Sequence, residues 1–205
     1  MHTEIDHIAN EPPTCDVALK EWGVTCRALA EGRQIVLLRK GGLLDEDGVF
    51  RLEYSQFWLQ PTFLHQEEAL VKPPHRDLFA SVRDERTSGE GRQFITLRWF
   101  AHVEDVLALR EEDDEKLQAA PHIWSNSYLD TRFNYKPEHP LLCVLLRVYE
   151  APQSVRLPMQ PQWTGCRSWI ELPQALSTAG ARPTLNDALW QRAQHDWRGL
   201  LSGAR

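Results

Sequence analysis

The chain has 205 residues, 42% hydrophobic and 25% charged, the balance of a folded domain with a substantial core and not of a disordered one. Acidic side chains number 29 against 23 Lys and Arg, a net charge of −6, which excludes a polycation that grips nucleic acid or membranes by bulk charge. That acidity is local: residues 1–16 carry four acids and no base, residues 104–116 seven acids and two bases, and the remainder, with 21 bases and 18 acids, stands at +3 and leaves room for an anion site.

Residues 1–16, with Pro12-Pro13, read as a loosely held lead-in, and residues 17–205 as a single α+β domain that includes a C-terminal helix at about 185–201. The lead-in has neither the basic nor the apolar stretch of a signal peptide, and no segment approaches the roughly 20 apolar residues that span a bilayer. A cytoplasmic chain with no membrane partner is expected. Four cysteines, Cys15, Cys26, Cys143 and Cys166, are far apart with no CxxC pair. They read as free thiols, Cys26 and Cys143 as small core residues, with no structural metal and no cofactor.

From Val17 the pattern tightens. Trp22, Val24, Cys26 and Ala28 alternate with Gly23, Thr25 and Arg27, which favours a strand paired through Glu31-Gly32 with a second strand over 34–39. Leu19, Trp22, Cys26 and Leu29 also fit a helical face, so residues 17–29 stay open between strand and helix. Gly41-Gly42 ends the second strand, and residues 43–48 form an acidic turn. Residues 49–52 and 56–59 predict a short hairpin ending at Pro61. Residues 67–92 read as loop, with a short helix in the first part. Residues 94–100 form an alternating strand that continues towards Leu109, and a run of acids opens a helix over 113–118. Residues 141–149 are almost continuously apolar, a central strand buried on both faces. A short last strand over 168–172 follows. Thr184 with Asp187 resembles a capping box, and Leu185, Leu189, Ala193, Trp197 and Leu200-Leu201 mark one face of the final helix. Together these elements predict a mixed curved sheet or small barrel with two or three helices. Without regular βαβ alternation, a Rossmann-type fold is disfavoured.

Four constellations bear on chemistry. Arg39-Lys40-Gly41-Gly42 delivers two cations into a glycine turn, which suits an anion, although an exposed basic strand end would look the same. Thr62, His65 and Gln66, just past Pro61, supply a hydroxyl, an imidazole and an amide, groups that read a base edge or position a water, or that merely cap one another in a loop. Trp124 with Arg132 offers an aromatic face beside a cation, while Trp124, Tyr128 and Phe133 more simply pack a helix on the sheet. Gly165-Cys166-Arg167 holds a thiol for which no base partner is visible. Of the eight tryptophans, Trp22, Trp99, Trp169, Trp190 and Trp197 fit core packing, and Trp58, Trp124 and Trp163 flank turns where a ligand can reach.

Ala18-Leu-Lys-Glu-Trp22, Leu37-Leu-Arg-Lys-Gly-Gly42, Phe57-Trp-Leu-Gln-Pro-Thr62 with His65-Gln66, Leu145-Leu-Arg-Val-Tyr149 and Gly165-Cys-Arg-Ser-Trp169 together resemble a bacterial domain-of-unknown-function family, number 1802. The likeness spans roughly residues 17–172 and implies a bacterial intracellular protein, with no activity to transfer. In layout alone the chain is also similar to PUA-like domains of the ASCH and EVE kind: a Gly-then-basic strand near the start, a long middle strand and an apolar strand before the end. That similarity implies a small mixed barrel with a pocket for RNA or a modified base.

The leading expectation is therefore a domain that binds RNA, single-stranded DNA or a nucleotide-like ligand. Arg39 and Lys40 with Gly41-Gly42 would meet phosphate, Thr62, His65 and Gln66 would make polar contacts, and Trp124 with Arg132 would flank the pocket. An enzyme acting on a nucleotide or related phosphorylated small molecule, with His65 as general base, is the second reading. A non-catalytic interaction module using the Trp-bearing C-terminal helix is the third.

Overall fold

The computed structural model describes residues 13–40, 49–165 and 167–200. Seven strands form one sheet: β1 (Thr14–Trp22), β2 (Val36–Arg39), β3 (Gln56–Thr62), β4 (Phe94–Leu109), β5 (Leu141–Pro158), β6 (Trp169–Ser177) and β7 (Arg182–Pro183). Their order is β2-β5-β4-β3-β1-β6, with β7 beside β5. β1 and β3 run parallel and the other pairs antiparallel, so the sheet is mixed. The described residues hold five α-helices, not two or three: α1 (Gly23–Ala30), α2 (Leu78–Thr87), α3 (Asp114–Ala119), α4 (Asn126–Asn134) and α5 (Asp187–Leu200). The fold is α+β, and of the two expected forms it is the curved sheet, because β2 and β6 remain edges that do not pair with each other. No helix among the described residues is long and apolar enough to cross a membrane.

Curvature comes from the long β4–β5 hairpin. Its register slips twice, between Leu97 and Trp99 and between Val103 and Asp105. Each unpaired residue bends the strand and adds right-handed twist. β5 is buried on both faces, as its continuous apolar run predicts: Val144, Leu146 and Val148 enter one cluster, Leu141, Cys143 and Leu145 the other. The first cluster gathers Phe57, Trp58, Leu97, Phe100 and Ile170 between strands. The second lies under the helices, with Trp124 and Leu129 of the α4 region and Trp190 and Trp197 of α5.

The ambiguous segment 17–29 is strand and then helix. β1 ends at Trp22 and α1 starts at Gly23, so the hairpin to 34–39 does not form, and Thr14 to Asp16 of the expected lead-in already belong to β1. α1 sits between the clusters, Cys26 and Leu29 in the first and Val24 and Ala28 in the second. A helix buried on both sides has no polar face, which is why its sequence imitates alternation. Gly23 admits this packing, since a Cβ there would stand 2.9 Å from the Phe63 ring.

Three further expectations are corrected. Residues 49–52 are not a strand, and β3 continues through Pro61 to Thr62. β4 pairs with β3 only over 56–58, so Pro61 occupies a stretch of strand with one open edge, where a missing donor is tolerated. The first part of 67–92 does hold short helical turns, 3-10 at Glu68–Leu70 and Pro73–His75, and the middle of that stretch, expected as loop, forms α2. The cap of α5 is Asn186, whose Oδ1 accepts the Leu189 N–H at 3.0 Å, whereas the Thr184 hydroxyl donates to the Val148 carbonyl at 3.2 Å. The helix accordingly buries Trp190 and Trp197, while Leu189 and Leu200 remain 48% and 36% exposed. Cys15, Cys26 and Cys143 are free and buried, and burial pushes the Cys26 and Cys143 thiols well above the usual range. The Gly41-Gly42 turn, residues 43–48, residues 1–12 and Cys166 lie outside the described residues.

Candidate functional site

The C-terminal ends of β1, β2 and β3 converge with α4 and the turn residues 163–165 and 167–168 around a cavity of about 750 Å³. β1 contributes Lys20, Glu21 and Trp22 to its wall; the end of β2 contributes Leu38, Arg39 and Lys40; β3 contributes Gln60 and Thr62. α4 adds Thr131 and Arg132, and the turn adds Trp163, Arg167 and Ser168. Among the described residues, six cations line the space (Lys20, Arg39, Lys40, Arg92, Arg132 and Arg167) with one carboxylate, Glu21.

The carboxylate is already engaged. Glu21 accepts the Trp22 N–H at 2.7 Å and the Arg39 guanidinium at 3.0 Å. Arg39 also donates to the Ser168 hydroxyl at 2.6 Å and lies 4.7 Å above the Phe50 ring. One planar fork from the β2 edge thus reaches β1 and the residue preceding β6, a geometry that a lysine cannot supply. Lys20 holds the turn in place, its Nζ donating to the carbonyls of Trp163 and Gly165, both at 2.7 Å.

Lys40, Arg132 and Arg167 are less balanced among the described residues. Lys40 is 3% exposed, and its Nζ donates to the Phe133 carbonyl in the last turn of α4 at 2.9 Å. That contact suits a helix C-terminus but supplies no full negative charge. Burial lowers the Lys40 pKa, Glu138 opposes the shift, and Arg132 adds to it. Arg132 packs over the Tyr128 ring at 5.0 Å and makes no ion pair with a carboxylate among the described residues. Arg167 is exposed and makes no hydrogen bond or ion pair among the described residues. Gln60 is 1% exposed; its Nε2 donates to the Pro61 carbonyl at 3.2 Å, and its Oε1 meets no donor among the described residues.

At the cavity mouth the chain departs from ordinary geometry. His65 has φ 59° and Leu64 beside it is 69% exposed. A left-handed non-glycine residue is uncommon, and such conformations gather at ligand-contacting loops. His65 makes no hydrogen bond or ion pair among the described residues, so the acid partner that a general base calls for is not supplied there.

Five of the residues singled out in the sequence therefore line one cavity: Arg39, Lys40, Thr62, His65 and Arg132. Gln66 does not. Its Oε1 accepts the Val24 N–H at 3.0 Å and so ties down the first turn of α1. Trp124 does not either: it is 1% exposed and stacked on Tyr128 at 4.1 Å. One indole at the wall is Trp22, half-buried and edge-on to Trp124 at 5.6 Å, where a core role was expected. Trp163 faces the cavity as expected, whereas Trp58 is fully buried. Lys20, Glu21 and Arg167 were missed. The first two follow one another at a strand end and alternate in no informative way, and Arg167 was overshadowed by the thiol before it.

With that wall in view, the family comparison is decisive. The chain belongs to the family described as Domain of unknown function (DUF1802), which matches residues 18–196. Its match reaches beyond the 17–172 span of the resembling segments and takes in most of α5. Comparison with curated proteins and with solved structures gave no match. Four of the five segments that carry the likeness to the DUF1802 family supply wall residues, from Lys20, Arg39, Thr62 and Arg167 outwards; the fifth, 145–149, is core.

Proposed function

We propose that the cavity binds a phosphorylated, nucleotide-like group, presented by single-stranded nucleic acid or as a free nucleotide. The observation that carries this reading is the pairing of Lys40 with Arg132, two neighbouring cations on the wall of a cavity of about 750 Å³, neither ion-paired to a carboxylate among the described residues. Holding such charges out of water is unfavourable unless an anion completes them. A phosphate does so with charge-assisted hydrogen bonds. The aromatic and apolar wall beside them, Trp22, Phe63, Tyr135 and Trp163, suits the flat, less polar remainder of a nucleotide.

Binding is measured by tryptophan fluorescence, using nucleoside 5′-monophosphates and single-stranded tetranucleotides of RNA and DNA. Wild type should bind in a salt-dependent manner. Lys40→Ala with Arg132→Ala should weaken binding by roughly 10- to 100-fold, the loss expected for one or two charge-assisted hydrogen bonds. Unchanged affinity in the double variant, or no binding of any probe at millimolar concentration, overturns the reading.

A further inference from the structure

The cationic cavity has a neighbour. A second cleft, of about 570 Å³, is lined by Phe50, Tyr54, Trp169 and Pro173, and it shares two wall residues with the first, Trp163 and Arg167. Its character differs. Arg51 and Arg167 are matched there by Glu53 and Glu171, so the charge is balanced, while the aromatic surface is concentrated. Trp169 is the hub of that surface, stacked on Phe50 at 5.8 Å and meeting Tyr54 edge-on at 5.1 Å. Its Nε1 donates to the Arg51 carbonyl at 2.9 Å, which fixes the ring. Tyr54 and Trp169 are both half-buried, with part of each ring open to the cleft. Arg39 stands between the two spaces, bonded to Ser168 on the cavity side and lying over Phe50 on the other.

We infer that the cleft is a second subsite, continuous with the cavity, that stacks the base of an adjoining nucleotide, so that the ligand is a short single strand and not a mononucleotide. The inference rests on the cavity being the phosphate site proposed above. Three features support it: the shared wall residues, the division of charge, and the fixed aromatic ring in the neutral part. Counted over the described residues, phosphates are drawn to the side with six cations and one acid, and an uncharged base to the side where charges cancel and rings are exposed. Stacking on an aromatic face tolerates any base, so the cleft should discriminate little by sequence. Two adjoining spaces of these volumes also exceed what one nucleotide fills, since a ligand site of about 300–1,000 Å³ already encloses a drug-sized molecule.

The test compares uridine 5′-monophosphate with the tetranucleotides rU4 and dT4 on wild type, Tyr54→Ala and Tyr54→Phe. Tyr54 is chosen because it sits at the edge of the aromatic group and its loss leaves Trp169 on Phe50. Wild type should bind the tetranucleotides at least tenfold more tightly than the monophosphate. Tyr54→Ala should lose most of that gain while its monophosphate affinity is unchanged, and Tyr54→Phe, which keeps the ring, should retain it. Equal binding of monophosphate and tetranucleotides overturns the second subsite and leaves the cavity reading standing. A tetranucleotide preference that survives Tyr54→Ala overturns the placement of the base in this cleft. Failure of every probe to bind removes both readings together. A higher affinity for rU4 than for dT4 supports the inference with RNA as the source, and the reverse supports it with DNA.

Discussion

On one face of the sheet the buried indoles of Trp58 and Trp163 donate to the carbonyls of Cys15 and Glu171, at 3.2 and 3.0 Å; on the other, the indole nitrogens of Trp124 and Trp197 meet no acceptor among the described residues. The first face is closed by strands, the second by helices, and that accounts for the contrast. Strand irregularities leave carbonyls available. β1 slips register between Cys15 and Val17, and it is the Cys15 carbonyl that Trp58 finds. Helices consume their own carbonyls, so a tryptophan packed among them gains burial without a partner. The indoles of one core are thus held by packing and hydrogen bonds together, those of the other by packing alone.

Three measurements test that contrast. The largest effect is expected from Trp58→Ala, which empties a fully buried site in the strand-lined core and removes the bond to Cys15. A loss of about 4 kcal/mol is expected in chemical denaturation, as for other buried aromatic truncations. A loss under about 2 kcal/mol would mean that the core collapses around the gap.

Next comes acid titration of the helix-covered core. His122 is 2% exposed, its Nε2 bonded to the Leu117 carbonyl at 2.6 Å and its Nδ1 accepting the Trp124 N–H at 3.0 Å. The proton therefore sits on Nε2. Burial, with Lys72 and His75 nearby, lowers its pKa from 6.5 to about 4. The unfolded chain then takes up a proton at higher pH than the folded one. Stability contributed by neutral His122 is complete above pH 6.5, falls as pH drops towards about 4, and is lost below it. The total amounts to about 3 kcal/mol. His122→Asn, whose Oδ1 can still accept from Trp124, should remove this pH dependence. Wild-type and variant stabilities that run parallel between pH 7 and 4 would contradict the assignment.

The smallest effect is the most discriminating. Trp58→Phe should lose about 2 kcal/mol, because the Cys15 carbonyl is left without its donor. Trp124→Phe should lose about 1 kcal/mol or less, since it deletes a donor that had no partner. Equal losses would mean that the unpaired indole is a matter of geometry without energetic weight.

Legibility in the sequence followed the same division. β4, β5 and the start of α3 were readable because one periodicity persists over several residues in each. α1 was not, because both of its sides are buried and the polar stripe that marks a helix is missing. β3 was clipped at Pro61 because a sequence does not show which stretch of a strand lacks a neighbour. Within the candidate site, Arg39, Lys40, Thr62, His65 and Arg132 were legible as cations and polar groups beside turns. Gln66 and Trp124 have the same chemistry and the opposite placement. What separates them is whether the α1 backbone or the Tyr128 ring claims the side chain first, and that is decided by contacts between residues distant in the chain.

The position of β1 between β3 and β6 has a further consequence. During synthesis β1 leaves the ribosome before the other described strands, yet one of its edges is covered by β3, some 40 residues later, and the other by β6, 150 or more residues later. Until residues 169–177 emerge, the N-terminal strand keeps a row of unpaired backbone donors and acceptors, of the kind that recruits foreign strands. β6, made late in the chain, therefore acts as a built-in cover for β1, and truncated or stalled chains should be the aggregation-prone species of this protein.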